Sequence, residues 1–280
     1  MLWQSGPFSP FSRRASCPSD RNIAIIPTTR RYATPKNAAG NAPTAQAMDL
    51  ALQLPLPGPI LDSMRGGSSA RLAHGHSDKW DTSGVLLEES LVSAPIDLAA
   101  VFGNRRPVEV EIGTGKGGFL LARAAARPEL NFLGIDWAAA YCRYAADRFR
   151  RAGLTNVRML RADAAYFFRT CLADGSIWRL HVYFPDPWPK RKHRRRRLIQ
   201  PSFLAEVRRV LQSGGEFLVV TDHRDYFEQI LRVTSGTCGF ARIPFPRLIE
   251  GDDALTGTNF ERKYSLEGRR FYRIAKLCYV

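Results

Sequence analysis

One stretch limits the folds open to this chain more than any other. Val108-Glu-Val-Glu-Ile112 runs into Gly113-Thr-Gly115-Lys-Gly117-Gly118 and then into Phe119-Leu-Leu-Ala-Arg-Ala-Ala-Ala126. Apolar and charged residues alternate with the two-residue period of a strand, glycines then permit a tight turn, and an apolar run predicts a helix. A strand that feeds a helix through such a turn opens a parallel sheet, because parallel neighbours need a crossover between them. The helix start also leaves unpaired N–H groups facing whatever the glycines allow to approach.

The pattern continues along the chain. Asn131–Ile135 predicts a second strand ending at Asp136, and Tyr141–Ala152 a helix stopped by Gly153. Asn156–Leu160 predicts a third strand ending near Asp163, and Trp178–Phe184 a fourth. Ser202–Leu211 reads as a helix closed by Ser213-Gly214-Gly215, before a fifth strand at Glu216–Thr221 and then Asp222. Arg270–Tyr279 is a further strand that would pair antiparallel at the sheet edge. The expected fold is α/β: a doubly wound, mostly parallel sheet with helices on both faces and an antiparallel C-terminal edge strand.

Upstream, Val85–Phe102 carries a weak helical period through Leu86, Leu87, Leu91 and Val92, broken at Pro95. Residues 1–47, with Asp20 their single acid, are rich in Ser, Pro, Ala and Arg and show no sustained period. Such composition buries too little to offset ordering entropy, so residues 1–84 are expected to be a disordered or loop-like leader and 85–280 the folded domain. The leader's composition also suits an organellar transit peptide, or an over-extended start with Met48 as initiator.

A net charge of +15 and a pI near 10.1 point to a polyanionic partner, since Lys and Arg gain affinity by displacing counterions from phosphates. Seven of the eight residues from Lys190 to Arg197 are Lys or Arg, so about half of the excess lies in one run. A face of like charge repels itself unless an anion covers it. Five scattered cysteines with no CxxC spacing give no metal site and fit reduced thiols in a cytoplasmic compartment. No apolar window is long enough to span a membrane.

Glu111, Asp136 and Asp163 would converge at the carboxyl edge of the sheet, where open α/β folds bind ligands. Asp136 lies 23 residues after Gly113, the spacing at which an acid takes ribose hydroxyls in dinucleotide sites. The glycines read GxGxGG and not GxGxxG, however, and Glu111 sits directly before the turn. S-adenosyl-L-methionine carries an ammonium, a sulfonium, hydroxyls and an amine that suit carboxylates, whereas a pyrophosphate does not. A nicotinamide-linked dehydrogenase stays the weaker alternative, with no catalytic His or Tyr-Lys pair in view.

The fourth strand ends in Phe184-Pro-Asp-Pro-Trp188, then Lys190 and the basic run. Two prolines restrict the backbone around Asp186, and Trp188 is suited either to packing in the core, the favoured reading, or to stacking on a base. Together with Glu111-Ile-Gly113, Arg196-Arg197 followed by Gln200-Pro201, Thr221-Asp222, and Thr258-Asn-Phe-Glu261-Arg262, this segment resembles the bacterial tRNA (guanine-N7-)-methyltransferase family over about residues 85–280. The resemblance implies a Rossmann-like fold, S-adenosyl-L-methionine as methyl donor and tRNA as substrate, with guanosine 46 of the variable loop the target.

It further implies that Glu111, Gly113, Gly115, Asp136, Asp163 and Asp186 hold the donor, with Asp186 also the active-site acid. Lys190, Asp222, Thr258, Asn259, Phe260 and Glu261 would contact the guanosine or its surroundings, Asn259 standing where the family often has lysine. Arg191, Lys192, Arg194, Arg195, Arg196 and Arg197 would grip the RNA backbone as the start of a helix leading to Phe203. The enzyme would work without metal or membrane, as a monomer or homodimer. The other reading is an RNA-binding protein without catalysis.

Overall fold

The computed structural model describes residues 80–93, 95–248 and 256–279. The expectations for residues 1–79 lie outside them. Among the described residues no helix is long and apolar enough to cross a membrane.

After a 3-10 segment at Glu89–Ser93 and the short α1 (Leu98–Phe102), strands and helices alternate. They are β1 (Val108–Ile112), α2 (Gly118–Ala126), β2 (Asn131–Asp136), α3 (Ala139–Arg151), β3 (Val157–Arg161), α4 (Ala164–Thr170) and β4 (Ile177–Tyr183). A 3-10 segment at Arg191–Arg196 leads to α5 (Pro201–Val210), β5 (Leu211–Thr221), α6 (Arg224–Ser235), β6 (Phe240–Ile243), α7 (Asn259–Leu266) and β7 (Tyr272–Cys278).

The sheet order is β3-β2-β1-β4-β5-β7-β6. β1 to β5 are parallel, and β7 pairs antiparallel with both β5 and β6. The C-terminal strand is thus antiparallel as expected, with β6 outside it as the last strand. The chain winds outward from β1 to β3 and then returns to the other side of β1 as β4. The carboxyl ends of β1 and β4 therefore flank the switch point, where a cleft opens in folds of this kind.

Alternating strand residues feed two cores. On one face Val110, Leu133, Leu180 and Val219 pack with Phe167, Phe203 and Tyr226. On the other, Phe132, Met159, Leu218 and Val220 pack with Phe119, Ala145 and Phe149.

Three local expectations need correction. Val85–Phe102 breaks at Pro95 as expected, but the part before it is not α-helical: Leu86 bridges to Met159 of β3 and a 3-10 segment follows. Asp97 caps α1 by accepting from the Ala99 N–H. Ser213-Gly214-Gly215 does not close a helix but lies within β5, at a register shift between Ile177 opposite Leu211 and Arg179 opposite Glu216. The basic run forms a separate 3-10 turn, because Pro201 starts α5 afresh at its first position.

Candidate active site

The glycine turn is fixed by backbone geometry. Gly113, Gly115 and Gly117 have φ of 80°, 54° and 71°, a region that side chains other than glycine enter at a cost. A Cβ on Gly117 would also lie 2.6 Å from the Phe149 ring, so this glycine lets α3 close onto the turn. The Gly115 N–H donates to Asp136 Oδ2 at 2.8 Å and the Ala138 N–H to Oδ1 at 2.9 Å. Asp136 thus ties the turn to the end of β2, and each oxygen keeps acceptor capacity for a hydroxyl.

Alternation in β1 suggests glutamates in water, yet both are buried. Glu111 is 2% exposed, and its Oε2 has no hydrogen-bond donor. Burial pushes its carboxyl well above the usual range, opposed by Thr114 and reinforced by the nearby Asp136. A bare buried carboxyl below a glycine turn is chemically incomplete, and a cationic donor group completes it. Asp163 is exposed and caps α4, accepting from the Tyr166 N–H at 2.8 Å.

The Phe-Pro-Asp-Pro-Trp segment leaves β4 beside that turn, since Ile112 lies opposite Val182. Phe184 and Trp188 have φ of 50° and 39°, the two described non-glycine residues in the left-handed region. Such residues cost about 1–3 kcal/mol each and persist only where their surroundings hold them. Phe184 is held by the rings of Phe271, Tyr264 and Phe260 at centroid distances of 5.4, 5.7 and 6.4 Å. Trp188 is half-buried and held by the Arg196 guanidinium at 5.0 Å and the His193 ring at 5.9 Å. Between these two anchors Asp186 is exposed, and no described residue donates a hydrogen bond to it.

Two members of the basic run are paired within the fold. Arg197 was expected to grip RNA, but it is 2% exposed. Its Nε donates to the Pro187 carbonyl at 2.7 Å, Nη1 to Gln229 at 2.8 Å and Nη2 to Asp225 at 2.5 Å. All three nitrogens are spent inside the fold, so Arg197 positions the turn that carries Asp186. Arg194 pairs with Asp225 at 3.0 Å. The Arg197 hydrogen bond, aided by the nearby charge of Arg194, holds the half-buried Asp225 carboxyl below the usual range. Lys190, Arg191, Lys192, Arg195 and Arg196 remain exposed.

The C-terminal motif closes over the glycine turn: a Cβ on Gly118 would lie 3.6 Å from the Gly257 carbonyl and 3.8 Å from Asn259 Oδ1. Thr258 caps α7 by accepting from the Glu261 N–H. Glu261 is buried, and its Oε2 accepts from the Thr256 and Gly257 N–H groups and the Thr256 hydroxyl. Both were expected to touch substrate. As arranged, Thr258 caps the helix while Glu261 reaches back past the cap to the N–H groups of Thr256 and Gly257, so the pair shapes the loop. Phe260 is exposed above Phe184. Asp222 pairs with Arg269 at 2.6 Å, and Arg269 lies 4.0 Å over the Tyr264 ring. Sequence reasoning passed over Tyr264, although the Phe260/Tyr264 spacing of four places both on one helix face.

A family profile described as "Putative methyltransferase" matches residues 105–274. A protein of Geobacter metallireducens named tRNA (guanine-N(7)-)-methyltransferase is 35% identical over 192 residues, covering 68% of this chain and 91% of its own length. One of the same name from Syntrophotalea carbinolica is 41% identical over 162 residues, covering 58% of this chain and 69% of its own. Among solved structures, the antibiotic-resistance methyltransferase Kmr is 20% identical, with a TM-score of 0.46 over 66% of this chain and 92% of its own.

Proposed function

This chain belongs to the tRNA (guanine-N(7)-)-methyltransferase family, and we propose that it moves a methyl group from S-adenosyl-L-methionine to N7 of a guanosine in tRNA. The observation that carries this reading is the bare, buried carboxyl of Glu111 beneath the glycine turn, next to the strained segment that presents Asp186. A pyrophosphate would set negative charge against Glu111, whereas an ammonium satisfies it.

In this reading Glu111 ionises to hold the ammonium, Gly113 and Gly115 let the ligand approach the backbone, and Asp136 accepts from ribose hydroxyls. Asp163, at the next strand end, takes the far side of the ligand. S-adenosyl-L-methionine, when bound, supplies a methyl carbon activated on a sulfonium. N7 of guanine has an in-plane lone pair and no proton, so the chain needs no base to free it. The purine gains positive charge on methylation, and the task left to Asp186 is to stabilise that charge from a fixed position.

Lys190, Asp222, Phe260 and Asn259 would contact the guanosine or its surroundings. Arg191, Lys192, Arg195 and Arg196 hold the RNA backbone, while Arg194 and Arg197 brace the site from behind.

The test is incubation of the protein with an unmodified tRNA transcript and labelled methyl donor, followed by aniline-induced scission. Scission at one guanosine is expected. No scission with competent tRNA defeats the reading. Asp186→Ala should lower methyl transfer by about 10²–10³-fold, as loss of a transition-state contact does, while the fold survives.

A further inference from the structure

The arginines near the basic run fall into two groups. Arg194 and Arg197 share Asp225, and Arg209 pairs with Glu206 and Asp174 at 2.7 Å each. Arg169, Arg195 and Arg196 have no carboxylate within ion-pair distance among the described residues, and all three are exposed. They come from separate elements, Arg169 from α4 and the others from the 3-10 segment. Yet they line one open cavity of about 390 Å³ between that segment, α4 and α5.

Three cationic side chains lining one cavity without a carboxylate partner repel one another unless an anion joins them. The two acids on this cavity do not supply it. Glu206 is held by Arg209, and Asp163 at the rim accepts from the Tyr166 N–H. Beside Arg169, whose guanidinium lies 5.8 Å from its ring, Tyr166 is 41% exposed.

We infer that this notch is a phosphodiester-binding site for the tRNA strand next to the target nucleotide, with Arg169 as a contact supplied from outside the basic run. The inference rests on the reading of the chain as a tRNA methyltransferase. Forked guanidiniums match the paired oxygens of a phosphate, and two walls of the notch fix a strand where one exposed run only attracts it. Asp163 on the rim sets the notch beside the strand-end acids, so a strand seated there is led toward Asp186. Tyr166 is placed to stack on a sugar or base of that strand.

The experiment measures binding of an unmodified tRNA transcript across a salt series for wild type, Arg169→Ala, Arg169→Lys and the control Arg105→Ala. Arg105 is exposed just before β1, at the amino end of the parallel strands. Arg169→Ala is expected to weaken binding about fivefold at 0.1 M salt and to reduce the salt slope by about 0.7, the loss of one phosphate contact on a single strand. Arg169→Lys should keep the slope, and Arg105→Ala should match wild type. Methyl-donor binding by calorimetry, unchanged in Arg169→Ala, shows that the fold is intact. The inference is overturned if Arg169→Ala and Arg105→Ala give the same affinity and slope. Wild-type protein that neither binds nor methylates tRNA overturns the functional reading itself, an outcome visible in the wild-type arm alone.

Discussion

Glu109 and Glu111 lie two residues apart on the same strand and face, both buried, and their surroundings could hardly differ more. Glu109 takes two hydrogen bonds from Arg123 at 3.0 and 3.1 Å, one from Arg179 at 2.9 Å and one from His181 Nε2 at 3.0 Å. Burial alone would push its carboxyl up, but these partners outweigh burial and hold it well below the usual range. Burial draws His181 down to about 4 against the pull of Glu109, so the ring is neutral near pH 7. It donates from Nε2 and receives the Tyr183 hydroxyl at Nδ1, 2.7 Å away. Glu111 has none of this. A carboxylate saturated by the fold belongs to the fold, whereas one left bare at a strand end is kept for something the fold does not contain.

The largest effect that could break this contrast is on stability. Glu109→Ala leaves the buried Arg123 guanidinium without a carboxylate, while Arg179 keeps Glu216, and should lower unfolding free energy by about 3–5 kcal/mol, read from the urea midpoint. Glu111→Gln removes a carboxyl whose Oε2 has no partner, so its midpoint should not fall. Methyl-donor affinity should instead drop about tenfold to a hundredfold in Glu111→Gln, the value of a hydrogen bond to a charged group of roughly 1.5–3 kcal/mol. Equal melting of the two variants, with wild-type donor affinity in Glu111→Gln, would erase the distinction.

The strand ends were readable from the residues because hydrophobic period, glycine turns and terminal acids all follow from chain-local chemistry. β1, β2 and the turn between β1 and α2 lie where Val108-Glu-Val-Glu-Ile112 and its neighbours set them. What a charged residue faces is decided by residues far along the chain. Arg197 and Arg195 look alike in the basic run, and only the approach of Asp225 from α6 makes one a buried brace. Glu109 and Glu111 look alike in VEVEI, and Arg123, Arg179 and His181 separate them. Thr258 and Glu261 read as substrate contacts by resemblance, while their spacing equally spells a helix N-terminus. α4 and α6 are short or charge-rich on the exposed face, which hid them from a reading by apolar period.

The smallest effect expected is also the most specific, a difference in sign with pH. Glu109 binds fewer protons folded than unfolded, so its stabilisation is present above the ordinary glutamate value and is lost as pH falls. Glu111 binds more protons folded than unfolded. In donor-free protein it therefore weakens the fold as pH rises from the ordinary glutamate value toward its own raised one. A cationic donor requires the ionised form, so binding must expel the Glu111 proton wherever that proton is held, and donor affinity should rise with pH until Glu111 is ionised beforehand. His181 is already neutral there, and burial holds the Tyr183 hydroxyl protonated, so neither supplies the proton. Calorimetric titration of donor in two buffers of different ionisation enthalpy should register release of up to about one proton by wild type and none by Glu111→Gln. Equal release by both proteins would show that the proton comes from another group and that Glu111 is as much a part of the fold as Glu109.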